Sequence, residues 1–324
     1  MHHSVHTLLA GIVDYAGLFP PAKQDMGAAA ASYAKYLASG HAWMLGKFIV
    51  PVARLDDFER AAGPLFPRGD DAEPWRISAL AGEQIDADID RVFSFNQRHA
   101  PDEGDESGEQ APSAQAAAPA VAGGAVIDTI EVKAGSSREI DAIMRVLPEQ
   151  LEAYIEIPVH SDPRGMIAAM AGLGARAKVR TGGVTAEAFP TPQQIARFLS
   201  ACAAADVPFK ATAGLHHPVR GEYRLTYEPG APCAPMYGFL NLFLAAAFIK
   251  AAPGGLDETE TVQMLTDTAP GAFIFADGAV TWRNRRLDVA RLALVREKFA
   301  ESFGSCSFEE PVSELVTMGL LEKA

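Results

Sequence analysis

The sequence predicts an α/β protein with the architecture of a (β/α)8 TIM-type barrel. Strand-like and helix-like segments alternate along most of the chain, which is the pattern of repeated βα units. About eight strand-like segments can be counted, and a glycine-rich dinucleotide fingerprint is not apparent after any of them, which disfavours a doubly wound open sheet. The 324 residues are enough for one such barrel, so we predict a single barrel domain over residues 1–324.

The first and last predicted strands are the weakest part of this architecture. The Asp277-Gly278 pair after the last strand predicts a β-hairpin, which is not the usual continuation of a closing barrel strand. A distorted or incompletely closed barrel is therefore the alternative. The predicted strands lie near 10–14, 47–52, 75–82, 127–134, 152–159, 175–181, 207–213 and 272–276.

Two segments are expected to lie outside the repeated βα pattern. Residues 100–125 are rich in Ala, Pro, Gly, Ser and acidic residues and lack aromatic ones, which predicts a disordered acidic insert within the domain. Residues 285–324 are predicted to form a C-terminal helical extension, with helices at 287–303 and about 308–322. The apolar positions of the first of these helices suit either a core or a homo-oligomer interface.

Composition limits the partners of the chain. A formal net charge of −13 argues against binding to nucleic acid, because a phosphate backbone attracts a basic surface. No run of 18 apolar residues occurs, so we expect no membrane-spanning helix. Three cysteines without metal-ligand spacing suggest a reducing compartment. We therefore expect a cytoplasmic protein that binds a small molecule.

The most informative stretch is 174–217, which reads as a strand, a helix and a second strand. Lys178 and Arg180 are two residues apart and share one face of the first strand, and Lys210 and Thr212 do the same in the second. Buried parallel strands are usually apolar throughout, so cationic residues on two neighbouring strands break the pattern. Departures of this kind tend to mark functional sites, although lysines at strand ends can also simply reach solvent.

Other polar residues fall near the ends of the neighbouring predicted strands, where barrel enzymes bind their substrates. Glu131 and Glu156 are candidate catalytic proton carriers beside Lys178 and Lys210. The residues predicted to bind the substrate are Asp14, Lys133, Arg180, Thr181, Gly182, Gly183, Thr212, Gly214, His216 and His217.

This set of residue types suits carbonyl chemistry. A partly desolvated lysine amine near a second cation has a lowered pKa and can attack a carbonyl group to form a Schiff base. We predict Lys178 as the nucleophile, Lys210 as the cation that tunes it, and Glu131 or Glu156 as the proton carrier. Such a lyase needs no cofactor and no metal.

The motifs KVRTGG, from Lys178, and KATAGL, from Lys210, resemble those of the deoxyribose-phosphate aldolases and related class I aldolase barrels. In that family the first lysine forms the Schiff base and the second lies beside it. The family's acidic residue on the fourth strand corresponds to Glu131 in TIEVKAG. The resemblance covers about 126–217 and implies an aldolase-like lyase acting on a phosphorylated or carboxylated carbonyl compound.

The chain also departs from that family. LHHPVR follows the second motif in place of an arginine-containing phosphate loop, and Arg180 replaces a small residue beside the nucleophile. These differences favour a carboxylate-bearing substrate held by Arg180 as much as a phosphorylated one. Bacterial proteins of unassigned activity contain stretches similar to DYAGLFPPA and FKATAGLHHP, which adds nothing about function.

Two other functions fit the same residues. In the first, His216 and His217 bind a divalent metal together with carboxylates, and the barrel is a metal-dependent lyase, isomerase or hydrolase. In the second, the barrel binds a small anion without catalysis.

Overall fold

The protein folds as a closed barrel of eight parallel strands, seen in a computed structural model that describes residues 1–69, 72–100 and 124–323. The predicted (β/α)8 barrel is confirmed, and the alternative of an incompletely closed barrel is wrong. Strands β8–β12 lie outside the barrel and are described below. The barrel strands are β1 (Val13–Tyr15), β2 (Leu45–Pro51), β3 (Trp75–Leu80), β4 (Ala125–Lys133), β5 (Glu152–Glu156), β6 (Arg176–Arg180), β7 (Phe209–Thr212) and β13 (Ala300–Ser305).

Helices alternate with the barrel strands, and local sequence explains where several of them begin. Thr191 and Gln194 form a capping box at the start of one helix, and Ser136 caps another by accepting a hydrogen bond from the Glu139 N–H. The helices are α1 (His3–Leu9), α2 (Met26–Leu37), α3 (Leu55–Ala62), α4 (Ile85–His99), α5 (Ser137–Val146), α6 (Arg164–Met170), α7 (Pro192–Ala205), α8 (Phe239–Ala251), α9 (Glu258–Thr266), α10 (Val289–Lys298) and α11 (Glu309–Thr317).

The eighth barrel strand is not the predicted one. The segment predicted as one helix over 287–303 is α10 followed directly by β13, which pairs with β7 and β1. A purely helical C-terminal extension over 285–324 is therefore wrong. The sequence of β13, AESFGS, contains no β-branched residue, so it carries little strand signal of its own. In the barrel it is stabilised by parallel pairing on both sides.

The predicted strand at 272–276 belongs to a separate antiparallel sheet. The hairpin prediction at Asp277-Gly278 is confirmed, because Ala276 pairs with Ala279 across this two-residue turn. The three strands of the sheet are β10 (Phe273–Ala276), β11 (Ala279–Trp282) and β12 (Arg285–Asp288). Leu287 and Leu292 are buried in the core, whereas Leu294 is exposed.

The segment 218–238, which reads as an irregular loop, contains a short hairpin after β7. Its strands are β8 (Gly221–Arg224) and β9 (Cys233–Met236), and they pair in the antiparallel direction. The predicted insert at 100–125 lies mostly outside the described residues, between the end of α4 and the start of β4. Among the described residues, no helix is both long enough and apolar enough to cross a membrane.

The barrel interior changes character along its axis. At the amino ends of the strands, Lys47 contacts Asp128 at 2.7 Å and Glu152 at 3.0 Å, and Arg176 contacts Glu152 and Glu301 at 3.1 Å each. A cavity of about 460 Å³ opens there, but these charged groups on its walls and beside it pair with one another. The amino end of such barrels usually serves stability, and the functional site is expected at the opposite end.

Candidate active site

A cavity of about 220 Å³ opens at the carboxyl ends of the barrel strands. With a water occupying about 30 Å³ of liquid volume, the cavity has room for about seven waters, which suits a small metabolite. The polar side chains that line it are Glu131, Lys178, Arg180, Thr212 and His216.

Lys178 brings an amine to the floor of this cavity. Its side chain comes from β6 and is almost fully buried. The nitrogen lies 2.7 Å from Glu131 Oε2 and 2.8 Å from Glu156 Oε2, so two carboxylates contact one amine. Glu156 Oε2 is buried and has no other hydrogen-bond donor among the described residues, so Lys178 is the group that faces this oxygen.

Lys210 lies beside Lys178 on the neighbouring strand and does not line the cavity. The two residues are in register on β7 and β6. Lys210 Nζ lies 2.5 Å from Asp14 Oδ2 and 2.7 Å from Glu131 Oε1. Burial lowers the pKa of Lys210, but Asp14 and Glu131 outweigh burial and raise the pKa above its ordinary value. Lys210 is therefore a fixed cation, and Glu131 separates it from Lys178.

Glu131 is the central carboxylate of the group. Its two oxygens face different lysines, and the Ser78 hydroxyl donates a hydrogen bond of 2.6 Å to Oε1. Burial alone would raise the pKa of Glu131, but Lys178 and Lys210 together lower it far below its ordinary value. The carboxylate is thus held ionised between the two amines.

Asp14 is placed by the fold at the base of this group, not at the mouth. Its Oδ2 accepts a hydrogen bond of 2.7 Å from Ser302, and its Oδ1 accepts one of 2.8 Å from the Lys47 backbone N–H. Asp14 lines the opposite cavity at the amino ends of the strands. The prediction that Asp14 binds substrate at the mouth is therefore not supported, because Lys210 lies between it and Glu131.

Arg180 and Glu156 form the rim on the β5–β6 side. Arg180 Nε lies 3.4 Å from Glu156 Oε1, and the Arg180 side chain is 48% exposed. Burial raises the pKa of Glu156, but Lys178 and then Arg180 bring it below its ordinary value. Lys133 lines an adjacent groove with Glu156 and Arg180 and is not part of the cavity wall.

The glycines predicted to approach a substrate serve mainly close packing. Gly214 has φ +73°, and a Cβ there would lie 2.9 Å from Gly182 Cα and from the Phe189 ring. A Cβ on Gly182 would also collide with Phe189, so the loops after β6 and β7 pack together through glycine. Gly183 and Gly214 line the cavity, and their small size leaves it open.

Thr181 and Thr212 have different roles. The Thr181 hydroxyl is fully buried and donates a hydrogen bond of 2.6 Å to the Ala213 carbonyl, so it ties the two loops together. The prediction that Thr181 contacts substrate is not supported by this placement. Thr212 lines the cavity on the inner face of β7.

The two adjacent histidines point to different parts of the molecule. His216 is buried and lines the cavity. His217 stacks on Tyr223 at 3.5 Å, and its Nδ1 lies 2.6 Å from Glu314 of α11. Within the described ranges, no group of three or more His, Cys, Asp or Glu residues has the geometry of a metal site. The pair therefore does not form the metal centre of the alternative hypothesis.

An apolar wall faces the charged floor and is absent from the sequence-based prediction. The loop after β1 contributes Phe19, Pro20 and Pro21, and the barrel contributes Ile49 and Leu80. The composition of the GLFPPA stretch contains a signal for a rigid apolar loop, but not for its position over the mouth. One side of a bound molecule would contact apolar groups and the other side charged ones.

Comparisons with known proteins add no further assignment. No family model, no curated protein and no solved structure matches the chain. The resemblance to the class I aldolase barrels stays a prediction from short motifs.

Proposed function

We propose that the protein is a class I aldolase-like lyase that forms a Schiff base between Lys178 and a small carbonyl substrate. The observation that carries this proposal is the position of Lys178, whose amine lies between two carboxylates in the cavity at the carboxyl ends of the strands. Activity is assigned from this site, since barrels of this type support many unrelated reactions.

The free amine needed for attack forms when Lys178 gives a proton to Glu156. The pKa of Glu156 is low because of Lys178 and Arg180, and Arg180 is exposed enough to turn toward an anionic substrate. Once Arg180 pairs with the substrate, Glu156 loses a neighbouring cation and becomes a stronger base. Substrate binding thereby favours the reactive form of Lys178.

The amine nitrogen then attacks the carbonyl carbon, and one proton moves from this nitrogen to the former carbonyl oxygen to give a neutral carbinolamine. Glu156 returns a proton to this hydroxyl, which leaves as water while the nitrogen lone pair forms the iminium bond. Glu131 stays ionised beside Lys178 and stabilises the positive iminium. Glu131 is held in place throughout these steps by its contacts with Ser78 and Lys210.

The test is reductive trapping. The protein is incubated with small aldehydes, ketones and 2-oxo acids, treated with borohydride, digested and examined by mass spectrometry. We expect an adduct on the peptide that contains Lys178 in the wild type and in Lys298→Met, a control at an exposed lysine. Lys178→Arg keeps the positive charge but cannot form an imine and should give no adduct. An adduct pattern that is unchanged in Lys178→Arg would contradict the proposal.

A further inference from the structure

The imidazole of His216 is surrounded at Nδ1 by groups that can only accept a hydrogen bond. Ser305 Oγ lies 3.3 Å away, but the Ser305 hydroxyl hydrogen is directed to the Ser307 carbonyl at 2.7 Å. A serine hydroxyl has one hydrogen, so Ser305 can offer only its lone pair to His216. The carboxylate of Glu310, 3.9 Å away, also has no hydrogen to give.

The thiol of Cys306 lies 3.8 Å from the same nitrogen, and its hydrogen is also directed to another acceptor. Tyr227 donates its hydroxyl hydrogen to Glu310 Oε2 at 2.7 Å. The Tyr227 oxygen can then only accept a hydrogen from Cys306 Sγ, 3.5 Å away, so the thiol hydrogen has a nearer acceptor there than at His216 Nδ1. The sulfur therefore presents a lone pair to His216, like Ser305 and Glu310.

These contacts select one tautomer of His216. With three acceptors around it, Nδ1 carries the hydrogen, and Nε2 is left with a free lone pair. No described residue hydrogen-bonds to Nε2, and the ring lines the cavity. Burial, with a smaller effect from His217, lowers the pKa of His216 to about 4, so the ring is neutral at pH 7.

We infer that His216 Nε2 is the base that accepts the proton of the substrate hydroxyl when the proposed aldolase cleaves a 3-hydroxy carbonyl compound. This inference rests on the proposed Schiff base at Lys178. The neutral lone pair and the iminium carbon would face one cavity of about 220 Å³, so a substrate bound on Lys178 shares that cavity with this base.

The cleavage step balances with these groups alone. His216 Nε2 takes the hydroxyl proton, and the O–H electron pair becomes the second bond of a new carbonyl group. The bond between the carbon next to the iminium carbon and the carbon that carries the hydroxyl breaks, and its electron pair moves into the iminium to give a neutral enamine on Lys178. The imidazolium then holds the proton that can later be delivered to the enamine carbon.

The experiment uses two matched pairs of probes. Butanal and 2-oxopentanoate can form an imine but cannot be cleaved, whereas 3-hydroxybutanal and 4-hydroxy-2-oxopentanoate carry the additional hydroxyl. In His216→Gln we expect borohydride to trap the hydroxyl-free probes on Lys178 as in the wild type, and aldehyde release from the hydroxylated probes to fall by about 10²–10⁴-fold. His99→Gln, a partly buried histidine paired with Glu59, is the control and should behave as wild type.

The outcomes separate this inference from the proposed function. Trapping on Lys178 with wild-type cleavage rates in His216→Gln would overturn the role of His216 and leave the Schiff base standing. Trapping without aldehyde release from either hydroxylated probe in the wild type would overturn the cleavage step and with it the role of His216. No adduct on Lys178 with any probe would remove the proposed function and this inference together.

A spectroscopic measurement checks the tautomer independently of turnover. In protein labelled with ¹⁵N-histidine, the resonances that disappear in His216→Gln belong to His216. At neutral pH we expect its Nδ1 to be protonated and its Nε2 to be unprotonated. A hydrogen on Nε2 would overturn the inference, because the nitrogen facing the cavity would then be a donor.

Discussion

Lys178 and Lys210 stand side by side in register on neighbouring strands and bind opposite oxygens of one carboxylate. Only Lys178 reaches the cavity, whereas Lys210 is enclosed below it. The shared carboxylate, Glu131, lets two amines lie close together without direct repulsion. The arrangement thus gives one lysine access to the cavity and buries the other.

Replacing the nucleophile should remove activity while leaving the fold intact. In Lys178→Arg the guanidinium can keep both ion pairs but cannot attack a carbonyl carbon. We expect cleavage of the best probe to fall by at least about 10³-fold, since the covalent route is lost. The melting temperature, measured by circular dichroism, should change little. Cleavage at the wild-type rate would exclude Lys178 as the nucleophile.

Removing the buried cation should destabilise the barrel. Lys210→Met leaves Asp14 and Glu131 without their shared partner, and we expect a loss of about 3–5 kcal/mol in the free energy of unfolding. Lys210→Met/Asp14→Asn should recover part of that loss, because Asn removes one unpaired charge and can still accept from the Lys47 N–H. Urea unfolding measures the free energy of unfolding of both variants. A double variant less stable than the single one would contradict this view of the pair.

Glu131→Gln should change how stability depends on pH. The folded-state pKa of Glu131 lies below its ordinary value of 4.5, so its contribution to stability is fully present above about pH 4.5. As the pH falls below that value, the unfolded chain takes up the proton first and the contribution is lost. The difference in melting temperature between wild type and Glu131→Gln should therefore shrink from pH 6 to pH 3. If the difference in melting temperature instead grew as the pH fell, the predicted lowering of the Glu131 pKa would be contradicted.

Arg180 should act on substrate affinity. In Arg180→Gln we expect KM for 2-oxo acids to rise about 10–100-fold, with a smaller change in kcat, because a charge-assisted contact with the substrate anion is lost. Neutral aldehydes of the same length serve as the control and should show little change. An equal loss for both probe classes would assign Arg180 to a different role.

The close packing of Gly214 against Gly182 and Phe189 gives a prediction about stability. Gly214→Ala forces φ +73° on alanine and drives its Cβ into Gly182 and Phe189, which should cost about 1–3 kcal/mol. Gly165→Ala is the matched control, because it lies in α6 with open space around the added methyl group and should be neutral or slightly stabilising. Thermal unfolding of both variants checks the contrast.

The sequence predicts most of the barrel because each βα unit carries its own signals. Caps such as Thr191 are local signals, and so is the hairpin pair at 277–278, which appears where the sequence predicts it. Strand β13 could not be predicted in the same way. Its residues Ala300, Ser302 and Gly304 are small and follow directly on a helix, and only pairing with two neighbouring strands makes them a strand.

The candidate active site could likewise be predicted only in part from the sequence. The lysines and Glu131 stand out because charges rarely occur within buried parallel strands. Ser305 and Cys306 come at the end of β13, so missing that strand also hid the partners of His216. Which of two adjacent histidines faces the cavity depends on loop geometry that a sequence pattern does not contain.

The measurement that tests the central claim most directly is the site of borohydride-trapped label on the wild-type protein. A single reduced adduct on Lys178, formed with a small 3-hydroxy carbonyl compound and missing from Lys178→Arg, is the result that we predict. Label confined to exposed lysines such as Lys298, or label on Lys210 in place of Lys178, would contradict the assignment of the nucleophile.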